Sequence, residues 1–211
     1  MDKKTLTKII GILRKRYPIR YFERSDPFEV LVTTVLSHRT KDEVTEKASK
    51  KLLERARTPE NLLKLSKKEI EKLIYPVGFY REKAKKLKKI AKILIENYKG
   101  KVPDKREELL KLPGVGPKTA DCVLSFAYGK DMIPVDTHVK VISKRLGIAG
   151  EKDSEEVIRE NLHRLVSKRE RKFVNTLFVE FGKEICRTVK PLCFKCPIQE
   201  FCPFPRKSLK S

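Results

Sequence analysis

Tryptophan is absent from this sequence and methionine occurs only twice, while 37% of the residues are charged. That balance fits a heat-adapted protein. No apolar run reaches the ~20 residues needed to cross a bilayer. The N-terminal Met1-Asp2-Lys3-Lys4 leads into Leu6, Ile9, Ile10, Leu13 and Tyr17, apolar positions at helical spacing with charges between them. This is not a signal-peptide core, and the chain reads as cytosolic, without membrane contact. Strand-length alternation, low-complexity segments and internal repeats are also missing, which leaves helix as the regular element and all-α as the fold class. Acidic side chains are the scarcer charge, 28 against 50 lysines and arginines, for a net charge of +22. Such an excess suits a polyanionic partner, nucleic acid first; the bland alternative is a ribosome-associated or thermophile protein with a basic solvated surface. A chain of 211 residues buries a real core as one large domain or two small ones.

The helices can be bounded by their caps. Pro18 ends the first. Asp26-Pro27-Phe28-Glu29 opens the second with an N-cap, a proline at the first helical position and an acid in the first turn. Phe28, Leu31, Val32, Val35 and Leu36 follow, with Val30 on a second side, which predicts a central buried helix stopping near Ser37-His38-Arg39-Thr40. Asp42 to Glu54 reads as a third helix, amphipathic through Val44, Ala48 and Leu52. Thr58-Pro59-Glu60 caps a short fourth, and Ser66-Lys67-Lys68-Glu69 has capping-box spacing for a fifth. After a turn at Pro76-Val77-Gly78-Phe79-Tyr80, a sixth helix runs to about Tyr98 with Leu87, Ile90, Ala91, Leu94 and Ile95 inward. Its Lys83, Lys85, Lys86, Lys88 and Lys89 read as a solvated face, with direct phosphate contact as the alternative. Lys101-Val102-Pro103-Asp104 caps the next helix. Beyond a break from Gly129 to Pro134, Asp136 N-caps a helix using Val139, Ile142 and Leu146 and ending at Gly147, Asp153-Ser154 starts another, and Phe173 to Ile185 is the last.

The most informative stretch is Leu112-Pro113-Gly114-Val115-Gly116-Pro117-Lys118-Thr119-Ala120-Asp121. It reads as a tight hairpin between two helices: Leu109 and Leu110 close the first, and Val123, Leu124 and Ala127 give the second its apolar stripe. Gly114 and Gly116 permit positive φ and close backbone approach. Pro117 fits the first helical position, where no N–H is needed. Backbone N–H groups at that helix start form a ready phosphate site. Lys118 lies in the first turn, where the positive end of the helix dipole favours the neutral amine. A neutral lysine is a nucleophile; a plain phosphate contact is the alternative role.

Cys186, Cys193, Cys196 and Cys202 are spaced C-x6-C-x2-C-x5-C within 17 residues. In a reducing compartment, four thiols this close are metal ligands rather than disulfides. Structural zinc more often shows two C-x2-C pairs set far apart, whereas one short loop holding all four suits a [4Fe–4S] cluster. The spacing provides no open coordination position, so the expected role is to crosslink a segment too short to fold alone and to set a loop carrying Arg187, Lys190 and Lys195. Cys122 is left over and reads as a small buried hydrophobe.

The hairpin LPGVGPKTAD, the following Val135-Asp136-Thr137-His138 and the four spaced cysteines, in this order, resemble the endonuclease III family of DNA glycosylase/AP lyases, within the helix-hairpin-helix superfamily. The resemblance spans nearly the whole chain. It implies a six-helix barrel domain over 21–133, with the hairpin motif at about 104–129, and a helical iron–sulfur domain formed from both chain ends, 1–20 and 134–211, with the cluster loop at 186–202. It implies base-excision repair of oxidised or ring-saturated pyrimidines in double-stranded DNA and cleavage of the abasic site by β-elimination, by a monomer that is cytoplasmic and nucleoid-associated. Lys118 would be the nucleophile and Asp136 the assisting carboxylate, the two facing each other over an interdomain cleft. Ser37, Arg39, Phe79, Leu112, Gly114, Val115, Gly116, Thr119 and His138 would contact DNA, and Cys186, Cys193, Cys196 and Cys202 would hold the [4Fe–4S] cluster. His138 would orient Asp136 or touch a phosphate, with a structural role as the plainer reading. The family fills the space of the extruded base from two loops, the first usually with Gln; the second here offers Phe79, an apolar ring that would stack into the opposite strand. Arg39 stands in the place of that Gln here, a departure that leaves the preferred opposite base open, because Arg favours acceptor groups such as those of guanine. A thermophilic archaeal source is expected. Two other functions remain: a sister glycosylase for mismatched thymine or for adenine, whose members usually lack a lysine at the Lys118 place, and a non-catalytic DNA-binding protein with a structural metal.

Overall fold

The computed structural model describes residues 1–18 and 26–204. Among the described residues it is helical throughout, without strands: α1 (Lys3–Arg16), α2 (Pro27–Ser37), α3 (Asp42–Arg55), α4 (Pro59–Lys64), α5 (Lys67–Ile74), α6 (Tyr80–Tyr98), α7 (Arg106–Leu109), α8 (Pro117–Cys122), α9 (Thr137–Arg145), α10 (Glu155–Leu165) and α11 (Lys168–Glu184). A π-helical turn, Val123–Ala127, continues α8. The chain forms two compact units, one from Met1–Glu23 with Lys130–Ser211 and the other from Arg24–Gly129. The expected domain start at Tyr21 lies outside the described residues. On the far side the division falls at Gly129, a few residues before the expected 133, because Ile133 and Val135 are already buried in the core of the two-ended unit.

In the Arg24–Gly129 unit, α2 packs against α3, α6 and α8. Asp26 caps it by accepting from the N–H groups of Phe28 and Glu29, at 2.9 and 3.0 Å. Leu31 and Leu36 are fully buried, and each contributes roughly 1.5–3 kcal/mol of transfer free energy. The capping box at α5 forms in both directions, Glu69 N–H to Ser66 Oγ at 3.2 Å and Ser66 N–H to Glu69 Oε2 at 2.7 Å. Helix α7 begins at Arg106, two residues beyond the expected cap at 101–104, behind Lys105, which makes no side-chain cap bond.

In the other unit, Leu6, Ile9, Ile10 and Leu13 of α1 share one core with Val139 and Ile142 of α9 and with Val174, Leu177, Phe178 and Phe181 of α11. Helix α11 starts at Lys168, five residues before the expected Phe173. Its first turns, Lys168-Arg169-Glu170-Arg171-Lys172, carry no apolar period to reveal them. They are fixed instead by polar contacts, with the Arg171 guanidinium donating to the carbonyls of His163 and Val166 at 2.6 and 3.3 Å.

Candidate functional site

The hairpin between α7 and α8 is closed by buried Leu109, Leu112 and Val115 and by one backbone bond, Val115 N–H to Leu112 O at 3.1 Å. The pair Arg106 Nε–Asp121 Oδ1, at 2.8 Å with the aspartate buried, ties α7 to α8. Only one of the two glycines uses positive φ. Gly114 sits at φ 81°, whereas Gly116 is extended at φ −98°, ψ −179°, and a Cβ there would stand in open space. With Pro117 at the first helical position and no side-chain cap at Gly116, the N–H groups of Gly114, Gly116, Lys118 and Thr119 find no acceptor among the described residues. Orphan donors in a hairpin and at a helix start are what a phosphate oxygen needs; those of Gly114, Gly116 and Lys118 belong to residues with exposed surface, whereas Thr119 is fully buried. Lys118, half-buried, stands in the middle of them.

Two loops of the same unit are joined beside this hairpin. Lys83 was expected on a solvated face of α6, but it is 6% exposed. Its ammonium donates to Leu36 O at 2.8 Å, to His38 O and to Thr40 Oγ1 at 3.1 Å, so it ends α2 and holds the loop after it. Burial, then the charge of Lys86, pushes its pKa down to about 8. The sequence did carry a signal, since Lys83 is in helical phase with Leu87, Ile90 and Leu94. Lys88 likewise turns inward to the carbonyls of Leu63 and Leu65, while Lys85, Lys86 and Lys89 are exposed.

Thr40 Oγ1 also accepts from Gly78 N–H at 3.2 Å and donates to His38 O at 3.2 Å. A Cβ on Gly78 would fall 2.6 Å from the Arg39 carbonyl oxygen, so only glycine lets the loops come this close. Arg39 and Phe79 both take left-handed backbone, φ 51° and 56°, a strain of order 1–3 kcal/mol each. The Arg39 guanidinium lies over the Phe79 ring at 5.7 Å from its centroid, and both side chains are exposed. Ser37 spends its hydroxyl on Thr34 O at 2.8 Å.

His38 was not singled out from the sequence, yet it links this loop to the hairpin. Its Nε2 is 3.1 Å from Thr119 Oγ1. Burial first, then the charges of Lys118, Lys83 and Lys86, lowers its pKa, favouring the neutral ring.

Asp136 belongs to the other unit. It N-caps α9 by accepting from Val139 N–H with Oδ1 at 2.9 Å, and its second oxygen has no bond among the described residues. His138 does not orient it. The His138 ring lies against α11, where a Cβ on Gly182 would fall 2.4 Å from Nδ1, and that nitrogen is buried without a partner among the described residues.

Cys186, Cys193, Cys196 and Cys202 line one apolar cavity with Ile142, Leu146 and Phe181. Among the described residues no three His, Cys, Asp or Glu side chains converge closely enough to hold a single ion. Burial pushes the Cys196 thiol up to about 11 and raises that of Cys186. Arg145, at the end of α9, pins the loop. Its guanidinium donates to Cys186 O, Arg187 O and Thr188 O at 3.1, 2.8 and 3.0 Å and lies 3.3 Å from Cys186 Sγ. Nothing in the sequence pointed to Arg145. Cys122, as expected, is buried. Among the described residues, no helix is long and apolar enough to cross a membrane.

A hairpin with orphan N–H donors, a lysine among them and a loop of four cysteines define a helix-hairpin-helix repair protein, and the comparisons agree. The family model described as HhH-GPD superfamily base excision DNA repair protein matches residues 32–168. The chain is 48% identical over 193 residues to endonuclease III of Thermotoga maritima, covering 92% of this chain and 90% of that one. It is 40% identical to endonuclease III of Bacillus subtilis, covering 84% and 81%. A solved trapped endonuclease III–DNA covalent intermediate superposes with a TM-score of 0.92 at 35% identity, all of both chains being covered. A thermostable thymine-DNA glycosylase superposes at 0.86 with 29% identity, covering 95% and 96%. The chain belongs to the endonuclease III family of the HhH-GPD superfamily. It is an enzyme of base-excision DNA repair, a DNA glycosylase and AP lyase. These bacterial relatives give the expected archaeal source no support.

Proposed function

We propose that this enzyme removes oxidised or ring-saturated pyrimidines from double-stranded DNA and then cuts the abasic strand by β-elimination, with Lys118 as nucleophile and Asp136 as proton acceptor. The supporting observation is the set of unpartnered N–H donors around Lys118, which holds a DNA phosphate and so fixes a sugar beside the amine. The neutral Lys118 amine attacks C1′, the N-glycosidic bond breaks, and the base leaves with its electron pair and takes up a proton. Loss of the amine proton and opening of the sugar give a Schiff base. The imine acidifies the C2′ hydrogen; a carboxylate takes that proton to give a C1′–C2′ enamine, which restores the imine as it expels the 3′ phosphate and leaves a C2′–C3′ double bond, and water then frees Lys118. Asp136 retains one oxygen for this work while the other caps α9. The flipped base requires a filler for its place in the stack, which Arg39 and Phe79 supply. Ser37, the hairpin from Leu112 to Thr119, and His138 complete the DNA contacts. The enzyme acts as a monomer at the nucleoid, its +22 charge drawing it to the phosphate backbone.

The four cysteines hold a [4Fe–4S] cluster. Their apolar cavity and the Arg145 donor beside Cys186 fit a polynuclear group carrying negative charge. When bound, the cluster crosslinks the 186–202 segment; no step of the reaction passes through it. The purified protein is expected to be brown, with iron and inorganic sulfide in equal amounts. One zinc and no sulfide, in protein prepared without oxygen, would exclude the cluster.

The function itself is tested with a duplex bearing a preformed abasic site and another bearing a ring-saturated pyrimidine. Both are cleaved without added metal ion. A thymine-mismatch enzyme would excise normal thymine opposite guanine and leave the saturated base in place. A protein that only binds DNA would leave both strands intact.

A further inference from the structure

We propose that Arg39 and Phe79 form one composite wedge, seated by Lys83, rather than two fillers acting from separate loops. The inference rests on the glycosylase reading above and says how its base-extruding element is built. The two residues come from chain segments forty positions apart, yet each takes left-handed backbone and the guanidinium rests on the ring, 5.7 Å from its centroid. Beneath them the loops are knitted through one hydroxyl, Thr40 Oγ1, which receives Lys83 Nζ at 3.1 Å and Gly78 N–H at 3.2 Å and donates to His38 O at 3.2 Å. Lys83 adds bonds to Leu36 O and His38 O from a buried position. An ammonium at the end of α2 also meets the negative end of that helix dipole. The seat is therefore complete before DNA arrives. The stacked pair presents a flat apolar face to the vacated stack, and the guanidinium edge faces the base left opposite. On the pairing edge that the vacated space exposes, guanine offers that fork its carbonyl O6 with two lone pairs, whereas adenine offers only the single lone pair of ring N1. Lys83 touches neither strand and acts as a positioning residue.

Single-turnover base excision, measured with a ring-saturated pyrimidine opposite guanine or adenine, is compared with incision at a preformed abasic site, which has no base to extrude. The proteins are wild type, Arg39→Met, Phe79→Ala, the double variant, Lys83→Met and Lys83→Met with Arg39→Met. One wedge predicts coupled losses: where each single variant loses about tenfold in excision, the double also loses about tenfold, not about a hundredfold. Excision falls more than incision, and Arg39→Met erases the preference for guanine opposite. Lys83→Met repeats the pattern, including the lost guanine preference, and adding Arg39→Met to it costs little more. A protein merely destabilised by Lys83→Met would lose both activities together and keep its preference. Should that variant not fold, Thr40→Val removes the same hub with less disturbance and must give the same pattern. Losses that multiply in the double variant, or a Lys83→Met or Thr40→Val protein that keeps its guanine preference, overturn the composite wedge. A wild-type protein inactive on both substrates overturns the glycosylase reading itself.

Discussion

Borohydride is expected to trap the wild-type protein covalently on DNA containing a ring-saturated pyrimidine, and Lys118→Gln to give no trapped species. Reduction captures an imine only if an amine of the protein has replaced the base at C1′. Lys118 is placed for this by local structure: it follows Pro117 at the start of α8, beside N–H groups that find no acceptor among the described residues. Glutamine has no nucleophilic amine but is a good helix former, so α8 and the phosphate site, which is made of backbone, both survive. Base excision should fall by several orders of magnitude, as happens when other enzymes lose their nucleophile, while affinity for undamaged duplex stays near the wild-type value. Efficient trapping of Lys118→Gln, with the adduct mapped to another amine, would show that a different residue attacks C1′.

Asp136→Asn is expected to bind DNA and fold normally but turn over about 10²–10⁴-fold more slowly, the range for loss of a positioned general base. An amide oxygen still accepts from Val139 N–H, and Asn caps helices about as well as Asp. What it loses is an oxygen that can take up a proton. Asp136→Ala separates the two roles: activity falls similarly, and stability falls as well, by about 1 kcal/mol for the lost cap. A thermal melt beside single-turnover kinetics reads both. Wild-type rates in Asp136→Asn would remove this carboxylate from the mechanism and leave it as a cap alone.

The sequence by itself determined the elements whose cause is local. Asp26 with Pro27, Thr58 with Pro59, the Ser66–Glu69 box and Asp136 mark helix starts because a cap bonds N–H groups two or three residues away. The LPGVGPK hairpin was legible for the same reason, since a proline at the first helical position and a glycine at positive φ act within a few residues. The spacing of the four cysteines was equally readable, and they line one cavity. Polar first turns hid the true start of α11, because periodicity registers only where a helix buries something.

Tertiary structure decided the rest, where a side chain's partners come from distant segments. Five lysines on α6 look alike in sequence, yet Lys83 and Lys88 turn inward because carbonyls at the ends of α2 and α4 lie within reach, and Lys86 stays outside. Gly78 must be glycine because the Arg39 carbonyl approaches it from another loop. His38 matters through Thr119, eighty-one positions away, and Arg145 through carbonyls forty or so positions on. Caps and turns are enforced by atoms a few bonds apart, so the local sequence carries them; a buried ammonium takes its meaning from acceptors that only the folded chain brings to it.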